Sequence, residues 1–208
     1  MIGILNLKEN KMSKNTIIIS AFPACGKTWC VENLKDKFDM SDSDSSNFSW
    51  VYNKTEDGTT VKERNPEFPK NYIDHIKSLI GEKDFIFVSS HDVVRKALES
   101  ERLPYFLVYP DNTGSNKCLW DERMTGRGSP NSMINFVMGN WDNFIEDMKI
   151  ESFPFHYVLG KDGNSLSLNE TVLNDIRYTY EQIKKNNLWD NGHIAVIPTN
   201  PEEPWNKE

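Results

Sequence analysis

Cysteine is scarce in this chain, with only Cys25, Cys30 and Cys118 among 208 residues. They show no metal-ligand spacing, and their odd count argues against a disulfide framework and points to a reducing, cytoplasmic setting. Long apolar runs are missing too. Nothing approaches the ~20 residues of a membrane span, and the N-terminus has neither the basic start nor the apolar core of a secretion signal. Positive charge is in deficit: 24 Lys and Arg stand against 31 Asp and Glu, a net charge of -7. That balance opposes a protein whose main task is to grip long nucleic acid, because neutralising phosphates takes a basic face; a local basic site stays open. There is no internal repeat and, apart from the acidic-serine run 41–46, no low-complexity segment. One domain over residues 16–197 is therefore predicted. Residues 1–15 carry little pattern and read as a flexible extension, within which Met12 is a candidate translation start. Residues 198–208, with three prolines, three glutamates and Trp205, read as a tail outside the core.

What is present alternates between strand and helix patterns. Ile17, Ile18 and Ile19 form the β-branched run of a strand buried on both faces. Trp29, Val31, Leu34 and Phe38 recur at helical spacing, predicting a helix over 27–38. A short strand is expected to end near Asp42, and the polar stretch 53–66 suits a loop or a small hairpin. Further helices are predicted over 71–80, stopped by Gly81, then from Asp92, over 120–127, 132–148 and 171–185. Strands are predicted over 84–89, 105–109 and 156–159, with residues 194–197 as an extra edge strand or an apolar patch. This alternation predicts an α/β fold with a mainly parallel sheet and helices on both faces.

The most specific motif is Ala21-Phe22-Pro23-Ala24-Cys25-Gly26-Lys27-Thr28, directly after the first strand. It has the spacing of a phosphate-binding P-loop, with Ala21 where the first glycine usually stands. A methyl group is acceptable there if the residue needs no positive φ. In such a loop the backbone N–H groups of Ala24, Cys25, Gly26, Lys27, Thr28 and Trp29 face anionic oxygens. Lys27 would hold β- and γ-phosphates, and the Thr28 hydroxyl would ligate magnesium. The alternative is an ordinary strand-to-helix turn. Alkylation of Cys25, inside the loop, is expected to block ATP binding.

Ligands of open parallel sheets bind beyond the carboxyl ends of the strands, so residues just after each strand come next. Asp42 and Asp44 are two apart, which in extended backbone puts both carboxylates on one side, toward magnesium and the acceptor; the alternative role is turn or helix capping. Ser90, His91 and Asp92 follow the third strand. Asp92 is expected to cap its helix, Arg95 is a candidate anchor for an acceptor phosphate or a solvated surface charge, and His91 has no visible catalytic partner. Arg123 and Arg127, four apart beside Gly126 and Gly128, suggest a charge-stabilising lid over about 120–131, against the alternative of a charged helix end with a glycine stop. Arg64 is a weaker acceptor candidate. Phe48, Trp50, Tyr52 and Tyr72 are either a base-stacking wall or core.

On these residues the chain resembles the P-loop kinases of the nucleoside monophosphate kinase group, and more closely the small nucleotide-kinase-like proteins of bacteriophages. The resemblance runs over about 16–185 and rests on the loop Ser20 to Thr28, on Asp42-Ser43-Asp44-Ser45-Ser46-Asn47-Phe48-Ser49-Trp50, on Arg64-Asn65-Pro66-Glu67-Phe68-Pro69-Lys70-Asn71-Tyr72, on Val88-Ser89-Ser90-His91-Asp92 and on Arg127-Gly128-Ser129-Pro130. It implies a P-loop NTPase three-layer α/β/α sandwich with a mainly parallel five-stranded sheet. It further implies ATP and Mg2+ as cofactors, with Gly26, Lys27 and Thr28 on ATP and Thr28 and Asp42 on the metal. Asp42 or Asp44, with Trp50, Arg64, Ser90 and Arg95, would serve the acceptor, Arg123 and Arg127 the lid, and residues 160–165 the adenine. The implied activity is transfer of the γ-phosphoryl group of ATP to a nucleoside monophosphate, a deoxynucleotide above all, in an infected host's cytoplasm. The Asp-Gly-Phe-Pro-Arg acceptor motif of ordinary adenylate kinases is absent. The paired aspartates are also similar to those of small-molecule hydroxyl kinases, so a hydroxyl of a nucleoside, modified base, polynucleotide 5′ end or metabolite is an alternative acceptor, and a nucleotide-binding module without turnover is a third reading.

Overall fold

A computed structural model describes residues 14–55, 57–186 and 188 of the chain. The β-branched run forms β1, Ile17–Ala21, buried at every position. Consecutive burial means that both faces of the strand are covered. Helix α1, Lys27–Asn33, follows, shorter than its periodicity predicts because the chain turns at Leu34 so that Leu34 and Phe38 both reach the core. Strand β2 is Met40–Asp42, ending where expected. The polar stretch is a hairpin of β3, Trp50–Lys54, and β4, Thr60–Arg64, paired with each other in a separate antiparallel sheet. Then come α2, Lys70–Leu79, β5, Phe85–Ser89, α3, Asp92–Ser100, and β6, Tyr105–Pro110.

Helix α4 spans Gly114–Gly126, a full turn and more ahead of its predicted start, because the Thr113 side chain caps it by accepting from the Asn116 N–H. The helix predicted over 132–148 is two helices, α5, Asn131–Gly139, and α6, Trp141–Lys149. Its apolar positions Ile134, Val137, Trp141, Ile145 and Met148 keep one helical phase throughout, which is why the sequence reads as unbroken. The break falls at Gly139-Asn140, the weakest helix formers of the stretch. Trp141 then meets Phe22 edge-on at 5.5 Å and Trp120 at 6.0 Å in the core. Strand β7, Phe155–Leu159, and helix α7, Glu170–Lys185, complete the order.

The five main strands are all parallel in the order β2-β5-β1-β6-β7. With seven α-helices among the described residues and the central strands β5, β1 and β6 buried at nearly every position, this is an α/β fold compatible with a three-layer sandwich. The strand that follows β1 in the sequence lies on one side of it, while β7, which follows β6, lies on the other. Neighbouring strands β1 and β6 therefore send their chains apart, opening a crevice at their carboxyl ends. No helix among the described residues is long and apolar enough to cross a membrane. The expected extension needs a shorter boundary: Lys14 pairs with Asp39 at 3.0 Å and Asn15 accepts from Lys184 at 2.7 Å, so both are tied to the fold. Residues 194–197 and the tail 198–208 lie outside the described residues.

Candidate functional site

The segment joining β1 to α1 turns through two left-handed residues, Ala24 at φ 61° and Gly26 at φ 101°. Ala21 has no positive φ; it closes β1 with its side chain buried, so the methyl group costs the loop nothing. Among the described residues no acceptor engages the backbone N–H groups of Ala24, Gly26, Lys27, Thr28 or Trp29, whereas the Cys25 N–H turns back to the Phe22 carbonyl at 3.3 Å. Five of the six predicted donors thus stand open at the head of a helix, in the alternating backbone twist that forms an anion nest. Lys27 is enclosed by protein with part of its surface reaching solvent, and its ammonium donates to the carbonyls of Ala21 at 2.8 Å and Phe22 at 3.5 Å. Burial lowers its pKa, while the charges of Asp42 and Asp44 oppose that shift.

The Thr28 hydroxyl donates to the Asp42 carboxylate at 2.7 Å, linking the start of α1 to the end of β2. A hydroxyl and a carboxylate side by side suit magnesium, which binds through one or two protein oxygens and completes its shell with phosphate and water. One Asp44 oxygen takes the capping role given as its alternative, accepting from the Ser46 N–H at 2.8 Å at the start of a single 3-10 turn. The exposed carboxylate still acts electrostatically on Lys27.

Arg95 is corrected by the structure. It is 5% exposed, its Nε donates to Glu151 at 2.7 Å and its Nη1 to the Ser90 carbonyl. A charge this buried is held by its partner, so Arg95 braces the end of β5 and does not face the crevice. Ser90 is itself nearly buried and serves through that carbonyl. Asp92 is the first residue of α3, with His91 in the cap position, and pairs with Lys96 at 3.1 Å, so it does not cap as expected. His91, set aside in the sequence, lies at the crevice: crowding by protein lowers its pKa first, and Arg64, Arg95 and Lys27 push in the same direction. Arg64 thus reaches the crevice electrostatically, and its guanidinium also lies 4.3 Å from the centre of the Trp50 ring, so two predicted acceptor residues are brought together. The aromatic wall separates. Tyr72 is fully buried in the core, with its hydroxyl donating to the Ser43 carbonyl, and the partly buried Phe48 packs on it at 5.1 Å. Trp50 and Tyr52 stay on the surface hairpin.

Arg123 and Arg127 both bear on the loop, since their charges act on the Cys25 thiol. Arg123 lies 4.5 Å from the centre of the Trp120 ring and donates to the Leu166 carbonyl at 2.6 Å. The segment 120–131 takes the form of the alternative reading, a charged helix end with a glycine stop. Trp120 and Met124 anchor α4 in the core, and Gly128, at φ 75°, ends the helix in a Schellman turn: Ser129 N–H donates to Met124 and Gly128 N–H to Thr125. Cys25 is also corrected. It has no exposed surface, and burial pushes its thiol up to about 12, so it is neither accessible nor ionised for alkylation.

Residues 160–168 close the site from the far end of the chain. The Leu168 N–H donates to the Cys25 carbonyl at 2.8 Å, and its own carbonyl lies 3.2 Å from where a Cβ on Gly26 would be. These contacts use backbone atoms, so no side-chain signal in the sequence marks them. No protein-family model matches the chain, and no curated protein matches it.

Proposed function

We propose that the chain is an ATP- and magnesium-dependent phosphotransferase of the P-loop kinase kind, moving the γ-phosphoryl group to a nucleoside monophosphate in a cytoplasm. The observation that carries this reading is the set of five open N–H groups around Lys27, with the Thr28–Asp42 pair beside it, at the sheet's crevice. An open donor near low-dielectric protein is costly unless a ligand or water takes it. A polyphosphate satisfies all five. Lys27 would exchange its two carbonyl partners for β- and γ-oxygens, gaining charge-assisted bonds in place of neutral ones. Thr28 and Asp42 would hold magnesium, whose charge offsets that of the same phosphates. Arg123 and Arg127, whose charges act on Cys25 in the loop, would stabilise charge on the transferred group.

The acceptor side is thinner than the donor side. With Arg95 buried against Glu151, Arg64 is left as the acceptor-phosphate cation and Trp50 as its stacking partner. The loss of Arg95 favours a second reading, in which the acceptor is a hydroxyl that Asp44 orients or deprotonates.

The test is ATP consumption with product identification by mass, across nucleoside monophosphates, nucleosides, sugar acids and 5′-hydroxyl oligonucleotides, for wild type and Lys27→Met. A phosphorylated product lost in Lys27→Met is expected, and its identity selects the acceptor class. ATP binding with no product on any acceptor would overturn turnover and leave a nucleotide-binding protein.

A further inference from the structure

The β3–β4 hairpin stands apart from the main sheet, with β4 exposed along its whole length. Its register pairs Trp50 with Arg64, Tyr52 with Lys62 and Lys54 with Thr60. Directly opposed residues share a face, so one face carries Trp50, Tyr52, Lys54, Thr60, Lys62 and Arg64. The other carries Val51, Asn53, Val61 and Glu63. Three cations and two aromatic rings thus sit together, with no carboxylate on that face, in a chain whose net charge is -7. Among the described residues no ion pair engages Lys54, Lys62 or Arg64. Lys62 and Arg64 instead lie 4.3 Å from the centre of the Trp50 ring. A cation held against an aromatic ring keeps its charge available to an anion. Tyr52 is 66% exposed, a large ring offered to solvent beside Lys62.

We propose that this hairpin face binds single-stranded nucleic acid, with Lys54, Lys62 and Arg64 on phosphates and Tyr52 stacking on a base. Alternating cations and rings along an extended surface are what unpaired strands need, because their bases are free to stack. A duplex hides those base faces and offers only its phosphates. The strip is about 16 Å long at the rise of a strand, so it takes a short segment. The Trp50–Arg64 end leads to the crevice, where Arg64 acts on His91. The proposal stands independently of phosphoryl transfer.

The test is fluorescence anisotropy of a labelled single-stranded oligodeoxynucleotide with the full chain. Three phosphate contacts give a salt slope of about -2, so affinity falls by about 20-fold between ~50 and ~200 mM salt. In Lys54→Ala/Lys62→Ala the slope drops to about -0.7. Tyr52→Ala, on an exposed site that leaves folding intact, loses about fivefold or more at constant slope. Val61→Glu makes the same charge change as Lys62→Ala on the opposite face and is expected to weaken binding less. No binding at low salt, equal binding of the duplex form, or equal effects of Val61→Glu and Lys62→Ala would each overturn the proposal. ATP binding measured on the same variants stays at wild-type strength, which separates failure here from failure of the kinase reading.

Discussion

Gly26→Ala tests the loop most sharply, because two costs add at one atom. Gly26 holds φ 101° and ψ 17°, a conformation that costs an L-residue about 1–2 kcal/mol. The new Cβ would also lie 3.2 Å from the Leu168 carbonyl oxygen. That oxygen cannot simply withdraw, since the Leu168 N–H is tied to the Cys25 carbonyl at 2.8 Å. Loosening the tie costs about 1 kcal/mol more, so the native loop is disfavoured by about 2–3 kcal/mol in total. If the fold keeps the loop in place, the melting temperature drops by about 4–12 °C for a chain of this size. If the loop rearranges instead, the loss moves to ligand affinity, about 30- to 150-fold, since 1.4 kcal/mol is a factor of ten. Gly81→Ala is the control. It has the same left-handed backbone, φ 86°, but lies beside Thr16 and Lys14 at the opposite end of β1. It is expected to lose stability and leave ATP affinity unchanged. Melting curves and ATP titrations with magnesium on both variants decide the matter. A Gly26→Ala protein with both the melting temperature and the ATP affinity of wild type would refute the reasoning, because the strain would then fall on neither the fold nor the ligand.

Removing Glu151 with Glu151→Gln leaves the Arg95 guanidinium buried beside a weaker partner; thermal melting should show a loss of about 3 kcal/mol or more, and an unchanged Tm would mean that Arg95 is solvated. Iodoacetamide at neutral pH should label Cys118, which is exposed, and spare Cys25 in the folded chain; mass mapping that finds Cys25 labelled first would contradict the buried loop. His91, though exposed at the surface, has a pKa below its ordinary 6.5, because crowding by neighbouring protein first and Arg64 next disfavour its charged form. The unfolded chain binds that proton more readily, so the contribution is fully present above about pH 6.5 and is lost as pH falls toward the lowered folded value. Arg64→Gln should raise the His91 pKa in an NMR titration, and an unmoved titration would place Arg64 away from the crevice.

Legibility tracked how local the cause was. The strands β1, β5 and β6 were readable because burial on both faces writes itself as an apolar run. The Thr28–Asp42 pair was readable because a loop of fixed spacing and a short neighbouring strand bring the two to one place. Arg95 was misread because its partner Glu151 lies 56 residues on, beyond any local pattern. The break between α5 and α6 was missed since the apolar phase runs straight through it, and Gly128 reads equally well as hinge or helix stop until the Schellman bonds are seen. His91 went unassigned because its neighbour Arg64 arrives from the hairpin, which pairs with no other strand.

Contacts distant in sequence also hold the proposed phosphate loop. The eight-residue motif supplies the donors, but three bonds from the second half of the chain fix their direction: Trp120 Nε1 to the Pro23 carbonyl at 3.0 Å, Leu168 N–H to Cys25, and Arg123 to Leu166. The first two take carbonyls of the loop itself, which turns those oxygens outward and leaves the neighbouring N–H groups facing the crevice. The third ties a cation to the loop through the 160–168 segment. Arg123 is therefore braced before any ligand arrives, while the Arg127 side chain, bonded among the described residues to the nearby Ser129 hydroxyl at 2.6 Å, has the looser hold. Under the proposed kinase reading, Arg127 is the arginine that would swing toward the transferred group. Arg127→Ala should accordingly lower kcat with little change in stability, whereas Arg123→Ala should lower the melting temperature as well, because it releases Leu166 and with it the support of Gly26. Equal melting temperatures for the two variants would show that the 160–168 segment holds the loop without Arg123.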